Sequence, residues 1–163
     1  MDEPTQDDVA KAEQHELLLT FPNFNEEVAW ELGTRIRAAA QEAGTPVLID
    51  ITIGGHSMFR TAMSGTSPAN ADWARRKQNL VNLLHMSSYR VSLARARGLD
   101  VIGMMGLDLR DHAPAGGCFP IRVTDTGFIG TATVSGLPER EDHNLVVTTI
   151  AAYLGVDLGD SRL

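Results

Sequence analysis

The sequence predicts an α+β fold in which an antiparallel sheet is covered by helices. Two stretches alternate as strand hairpins do: PVLIDITI, followed by Gly54-Gly55, and FPIRV, followed by FIGTATVS. Helical patterns precede the first hairpin, separate the two hairpins and follow the second. This order of helix, hairpin, long broken helix, hairpin and helix contains no βαβ unit, so we do not expect a dinucleotide-binding fold.

The N-terminal stretch, 1–15, is charged and weakly periodic. We expect it to form a short arm or helix, and we expect 16–163 to form a single domain. A helix is predicted at about 26–43, because Asn25 can cap its start and Gly44 can end it. The apolar stripe of this helix faces the core and consists of Val28, Leu32, Ile36 and Ala39.

The clearest strand is 46–53, in which valine and isoleucine recur at every second position and share one face, while Asp50 and Thr52 lie on the other. The register of the returning strand follows from chemistry, because a slip of one residue exchanges the two faces. A three-residue loop, 54–56, would place Arg60 opposite Asp50 and keep the apolar face unbroken. We therefore expect Asp50 and Arg60 to form a surface cross-strand pair rather than a catalytic dyad. The apolar pairs in this register are Phe59 with Ile51 and Met63 with Val47.

A long helical region is predicted at about 71–97, with Asn70 or Asp72 as its cap. It is interrupted near Ser87, which can cap a second segment. Lys77 falls among apolar neighbours on the inner face of the first segment. Such a lysine usually buries its stem and keeps its ammonium in solvent, and the alternative is a partly buried lysine that holds an anion.

The C-terminal part of the chain contains the second hairpin and a last helix. Residues 99–111 are apolar but contain two glycines, and their pattern does not separate a short helix from a strand. Strands are predicted at 119–124 and 128–135. A helix is predicted from Pro138 to about Leu154, because proline suits a helix start and acidic residues fill the first turn. His143 lies on the inner face of this helix.

Composition limits the classes of partner. The chain has 14 Lys and Arg against 21 Asp and Glu, and the net charge of −7 opposes binding to nucleic acid or anionic lipid. A single cysteine cannot form an intramolecular disulfide, and the acidic N-terminus does not resemble a signal peptide. No apolar run approaches the roughly 20 residues of a membrane-spanning helix. We therefore expect a cytoplasmic protein.

The stretch HAPAGGCFPIRV concentrates the chemistry of the chain. Gly116 and Gly117 lack side chains, so the chain can turn sharply there or a ligand can come close to the backbone. The side chains of His112 and Cys118 can ligate a metal or haem iron. The alternative is that this stretch is only a turn entering a strand, with Cys118 as a small buried hydrophobe. His143 can likewise be a core residue bonded to backbone. The sequence has no P-loop, GxSxG, HExxH or CxxCH motif.

Four segments resemble one known family: GTSPANADWARRKQNLV, Ser87-Ser88-Tyr89, HAPAGGCFPIRV and GTATVSGLPEREDH. They are similar to the haem-degrading-domain family, also called GlcG/HbpS-like, and closest to its uncharacterised branch. The resemblance covers about 16–156. It implies a profilin-like fold with a five-stranded antiparallel sheet, and it implies homo-oligomers. The fifth strand would come from 16–20 or from 99–107.

The resemblance also implies a function class. Some relatives bind haem or related tetrapyrroles, although the haem-responsive Cys-Pro pair is interrupted here by a phenylalanine. The leading hypothesis is a non-catalytic, homo-oligomeric module for a small anionic or tetrapyrrole ligand. In it, His112 or His143 ligates iron, Cys118 is a soft alternative ligand, and Lys77 or Arg122 holds a carboxylate. The alternative is an oligomeric scaffold without a small ligand, and the third hypothesis is a haem-degrading enzyme.

Overall fold

The computed structural model describes residues 5–163 and shows an α+β fold with one five-stranded sheet. The helices are α1 (Gln6–Leu18), α2 (Glu26–Glu42), α3 (Pro68–Leu84), α4 (Ser88–Ala96), α5 (Val101–Met104) and α6 (Glu139–Leu154), followed by a 3₁₀ turn (Gly159–Ser161). The strands are β1 (Thr20–Phe21), β2 (Leu48–Ile53), β3 (His56–Ala62), β4 (Cys118–Val123) and β5 (Gly127–Ser135). Within the described residues, no helix is long and apolar enough to span a membrane.

The sheet has the strand order β1-β4-β5-β2-β3 and is mixed rather than wholly antiparallel. The β4–β5, β5–β2 and β2–β3 pairs are antiparallel, as predicted, whereas β1 pairs with β4 in parallel. This fifth strand is only Thr20–Phe21, and it follows α1 directly and pairs with Arg122 and Val123 at the edge of the sheet. The second candidate for this strand, 99–107, contains α5 instead.

The first hairpin has the predicted register but a shorter turn. Asp50 pairs with Arg60, and Ile51 pairs with Phe59. The turn itself is the two residues Gly54-Gly55, because Ile53 already pairs with His56. A β-bulge between these pairs places Met58 as the extra residue and restores the register that a three-residue loop would give.

Local capping explains where the central helices begin and end. The Asn70 side chain accepts from the Ser67 N–H at 2.8 Å, so the cap of α3 is Ser67 rather than Asn70 or Asp72. The chain breaks at His85, which has a left-handed φ of 55°. Ser87 then caps α4 by accepting from the Arg90 N–H at 3.3 Å, as the sequence predicts.

The two faces of the sheet differ in polarity. One face packs against α2 and α6 and forms the main apolar core. The other face is covered by α3 and carries a buried row of polar groups, in which the hydroxyls of Thr52 and Thr131 bond each other at 2.9 Å. A polar row beneath a helix can satisfy a buried charge that an apolar face would exclude.

The N-terminal helix lies against its own chain. Helix α1 packs on α4 and on the 3₁₀ turn, and it buries Ala12 and His15. Glu16 on the same helix accepts from the Ser87 N–H at 2.7 Å and from Arg90 at 2.9 Å. The predicted arm is thus, over its described part, a helix that extends to Leu18.

Candidate functional site

A buried ion pair lies where α3 meets the junction of β5 and α6. The Lys77 ammonium donates to the Asp142 carboxylate at 2.9 Å and to the Val134 carbonyl at 3.1 Å. The two side chains are only 4% and 2% exposed. The expectation of a solvated ammonium on Lys77 is therefore wrong, because the sheet end and the last helix supply it with oxygen partners.

Asp142 organises the turn between β5 and α6. Its carboxylate accepts from the Leu137 N–H at 3.0 Å and from the Gly136 N–H at 3.4 Å. Burial raises the pKa of the Asp142 carboxyl, while the Lys77 ammonium and the two backbone N–H groups oppose this shift. This side chain thus joins the sheet end, α3 and α6 at one point.

The Gly116-Gly117 pair allows the backbone to approach this ion pair closely. Gly117 has a φ of +123°, and a Cβ there would lie 2.4 Å from the Val134 carbonyl oxygen and 2.8 Å from the Lys77 nitrogen. The N–H of Gly116 donates to the Glu139 carboxylate at 3.1 Å. The two glycines therefore hold the loop before β4 against the start of α6.

An open cleft of about 260 Å³ lies beside the ion pair. Lys77 and Asp142 form part of its wall, together with Ser135, which is only 3% exposed. The Trp73 ring, 43% exposed, borders the cleft one helical turn before Lys77, and the Arg76 guanidinium covers one ring face at 4.0 Å from the centroid. The cleft combines an aromatic surface with buried polar groups.

Cys118 is the first residue of β4 and lies outside this cleft. Its side chain is fully buried, and the Thr133 hydroxyl donates to its Sγ at 3.1 Å. Burial raises the pKa of the Cys118 thiol to about 12, so the reactive thiolate is absent at neutral pH. The environment is that of a small buried hydrophobe rather than that of a metal ligand.

His143 is buried in contact with a second histidine. Its Nε2 lies 3.1 Å from Nδ1 of His15, and the Nε2 of His15 lies 2.6 Å from the Ser161 carbonyl oxygen. The Tyr89 ring packs at 4.8 Å between centroids. Burial lowers the pKa of His143 to about 3. The sequence predicts the inward direction of His143, but the expected backbone bond is replaced by one to His15.

His112 and Arg122 lie away from Lys77. The Nδ1 of His112 bonds the Asp108 carbonyl oxygen at 3.2 Å within its own loop. Arg122 donates to the His85 carbonyl and borders another surface depression, with Arg90. Of the predicted ligand-binding side chains, the cleft contains Lys77 alone, and the Gly116-Gly117 backbone passes beside it.

Several residues of the cleft were not among the sequence-predicted candidates. They are Trp73, Ser135, Glu139 and Asp142. In the sequence, the helical spacing of Trp73 is typical of a core residue. Glu139 and Asp142 are typical of the first turn of a helix, where acidic side chains are favourable. The available signal is the spacing of Trp73 and Lys77, which places both side chains on one helical face. The partner of Lys77 has no local signal, because Asp142 is 65 residues away.

The structure gives little support to a haem or metal held within one chain. Within residues 5–163, no group of three His, Cys, Asp or Glu side chains is placed to hold a metal ion. His143 is sealed from solvent, and the ring of His112 lies outside the cleft. The predicted iron ligands therefore do not fit a haem enclosed by this chain.

Comparisons with known proteins agree with this fold. Residues 24–151 match the family described as haem degrading protein HbpS-like. A UPF0303 protein of Azotobacter vinelandii is 46% identical over 148 residues, which cover 90% of this chain and 89% of the relative. The crystal structure of Ybr137w protein has a TM-score of 0.82 at 28% identity, covering 90% of this chain and 87% of that chain.

A haem-containing structure shares the fold at lower similarity. The crystal structure of a PduOC:heme complex has a TM-score of 0.65 at 19% identity and covers 82% of this chain and 95% of that chain. The family match spans most of the residues that form the sheet, the cleft and the last helix. The resemblance seen in the sequence is confirmed, and the chain belongs to the HbpS-like family, in which its relatives include the UPF0303 proteins.

Proposed function

We propose that this protein is a non-catalytic module that binds a small polar ligand in the cleft beside Lys77. The observation that carries the proposal is the cleft itself, because buried polar groups converge there next to an exposed aromatic ring. Its volume of about 260 Å³ is near the lower end of small-molecule pockets, which hold drug-sized ligands at about 300–1,000 Å³. A ligand smaller than a tetrapyrrole fits this size.

The chemistry of the cleft favours binding over catalysis. The Lys77 ammonium is engaged by Asp142, so it is a poor general base. Ser135 makes no described hydrogen bond to a histidine or a carboxylate that could activate its hydroxyl. These groups suit recognition of a fixed ligand rather than proton transfer.

The polar groups also indicate the ligand class. Lys77 uses two of its three N–H donors within the protein, which leaves one for a carbonyl or carboxylate oxygen. Glu139 borders the same cleft and can accept from a ligand N–H or O–H. A small carboxylate that also carries a hydroxyl or amino group would satisfy both, with its apolar part against Trp73.

The proposal can be tested by fluorescence. In a Trp30→Phe background Trp73 is the only tryptophan, so its emission reports on the cleft. We expect members of a panel of small hydroxy-, amino- and keto-carboxylates to change this emission saturably. Ala115→Leu should abolish the change by filling the cleft, whereas Ala96→Leu on the exposed end of α4 should not. A panel without any saturable change, or a change that Ala115→Leu preserves, would contradict the proposal.

A tetrapyrrole is the second candidate ligand, and the similarity to a fold solved as a heme complex favours it. The cleft is too small to enclose a macrocycle. His112 is half-buried, and its Nε2 has no described partner, so it is the imidazole that can approach a flat ligand on the surface. Such a ligand would need a second copy of the chain to cover its other face, so this candidate includes the homo-oligomer that the family resemblance implies.

Haem titration separates this candidate from the first. We expect any Soret shift to be lost in His112→Ala and retained in His143→Ala, because the latter ring is buried. A titration without a Soret shift up to high micromolar haem would contradict tetrapyrrole binding. It would not bear on the proposal of a small ligand in the cleft. If neither ligand class binds, the oligomeric scaffold without a small ligand becomes the better hypothesis.

A further inference from the structure

The buried pair of His15 and His143 connects three separate parts of the chain. His15 belongs to α1, His143 belongs to α6, and their shared bond continues to the Ser161 carbonyl of the 3₁₀ turn. Both rings are only 1% exposed, and they stack with centroids 5.3 Å apart. The pair therefore lies at the point where the two ends of the described chain meet.

The hydrogen bonds fix the tautomer of each ring when both are neutral. A carbonyl oxygen only accepts, so Nε2 of His15 carries the proton and its Nδ1, in the neutral ring, is the acceptor. His143 must then donate from Nε2, which leaves its Nδ1 bare, and that nitrogen is buried without a partner in the described structure. While both imidazoles are neutral the pair keeps its hydrogen bond, with one nitrogen of His143 unpartnered, whereas protonation of both rings would set N–H against N–H and break that bond.

Protonation of either ring would place a charge in this site without a carboxylate bonded to it. The elements packed around the pair carry other charged or titratable groups, and none of them makes a described hydrogen bond to either ring. On α1 and α4 they include Asp8, Lys11, Glu13, Glu16, Tyr89 and Arg90, and on α6 and the C-terminal segment they include Arg140, Asp142, Asp157, Asp160 and Arg162. Lys11 adds a positive charge near His15 and further disfavours its protonation.

We propose that the His15–His143 pair is an acid-sensitive clasp that releases α1 and the C-terminal turn from the rest of the protein. In the released state, the apolar contact between α1 and α4 is exposed. It consists of Ala12 on α1 with Tyr89 and Leu93 on α4. The ion pairs of Glu16 and Glu13 with Arg90 limit the opening to an equilibrium rather than a complete detachment at mildly acidic pH.

The sign of the pH dependence follows from linkage. Burial lowers the pKa of both histidines, so the closed state is favoured above about pH 6.5 and loses this advantage as the pH falls below it. Between pH 7 and pH 5, the opening equilibrium constant should rise about 25-fold for one histidine that stays neutral when closed, and about 600-fold for two.

Hydrogen exchange of the full chain tests the clasp, with protection factors corrected for intrinsic rates. We expect peptides covering 6–18 and 157–163 to lose at least about 20-fold in protection between pH 7 and pH 5, while β2 and β5 stay protected. The double variant His15→Gln/His143→Gln should show no such step, and His112→Gln should behave as wild type. Unchanged protection in wild type, or an equal step in the double variant, would overturn the clasp.

A measurement on the wild-type rings covers the case in which the double variant loses α1 at every pH. Carbon-13 labelling of histidine reports the charge of each imidazole by NMR. We expect His15 and His143 to stay neutral as long as α1 is protected, and to become charged only together with the opening of α1. Titration of either buried ring near pH 6.5 with α1 still protected would overturn the proposal.

Discussion

The ion pair of Lys77 and Asp142 is the residue-scale feature on which the cleft depends. Lys77→Met should destabilise the fold by about 3–5 kcal/mol, because it leaves a buried carboxylate without its cation. Adding Asp142→Asn should recover much of this loss, since the amide oxygen can still accept from the Leu137 N–H. Urea unfolding of the two single variants and the double variant gives the coupling free energy. Additive losses would show that the pair does not act as a unit.

Gly117 offers a second residue-scale prediction. Gly117→Ala should lower the free energy of unfolding by about 2–5 kcal/mol. The backbone has a positive φ there, and the added methyl group would overlap the Val134 carbonyl and the Lys77 ammonium. Gly98→Ala is the matched control: its φ is also positive, but its Cβ would meet no atom within 4 Å, so only about 1–2 kcal/mol is expected. Thermal unfolding of both variants checks the difference. Equal losses would mean that the close approach at Gly117 contributes nothing.

At the scale of elements, the break between α3 and α4 depends on Ser87. Ser87→Ala should lower the free energy of unfolding by about 1 kcal/mol, because the Arg90 N–H loses its cap. Ser92→Ala, inside α4, removes the same hydroxyl without a capping role and should be close to neutral. Urea unfolding at neutral pH compares the two, and an equal effect would remove the capping explanation.

The elements also show what local pattern can predict. Alternation and capping residues are sufficient to predict α2, both hairpins and the break near Ser87. They did not reveal β1, because two residues cannot display alternation and the parallel pairing of this strand depends on the whole sheet. The predicted turn of the first hairpin is one residue longer than the observed turn. The bulge at Met58 gives the predicted register from the shorter turn.

The site was less accessible to sequence reasoning than the fold. Lys77 could be placed on an inner helical face, but its partner Asp142 comes from a distant helix. The pairing of His15 with His143 joins residues 128 apart, and no local periodicity records such a contact. Residues chosen for their chemistry alone, such as His112 and Cys118, were separated by the fold.

At the scale of the whole molecule, the exposed apolar side chains favour self-association. Met104 is 77% exposed and Trp30 is 66% exposed. We expect light scattering at micromolar concentration to give a multiple of the chain mass, and we expect Met104→Glu/Met105→Glu to reduce it. Gln41→Glu, on an exposed position of α2, adds negative charge elsewhere and should leave the mass unchanged. A strict monomer in the wild-type protein would contradict the proposed homo-oligomer.

The most direct test of the ligand-binding proposal follows the two tryptophan indole N–H signals by NMR. They are assigned with Trp30→Phe, and the small-carboxylate panel is then added to the nitrogen-15-labelled protein. We predict that a bound compound shifts the Trp73 signal saturably, leaves the Trp30 signal in place, and has no effect in Ala115→Leu. A Trp73 signal that no compound moves up to millimolar concentration, or that moves equally in Ala115→Leu, would contradict a ligand site in this cleft.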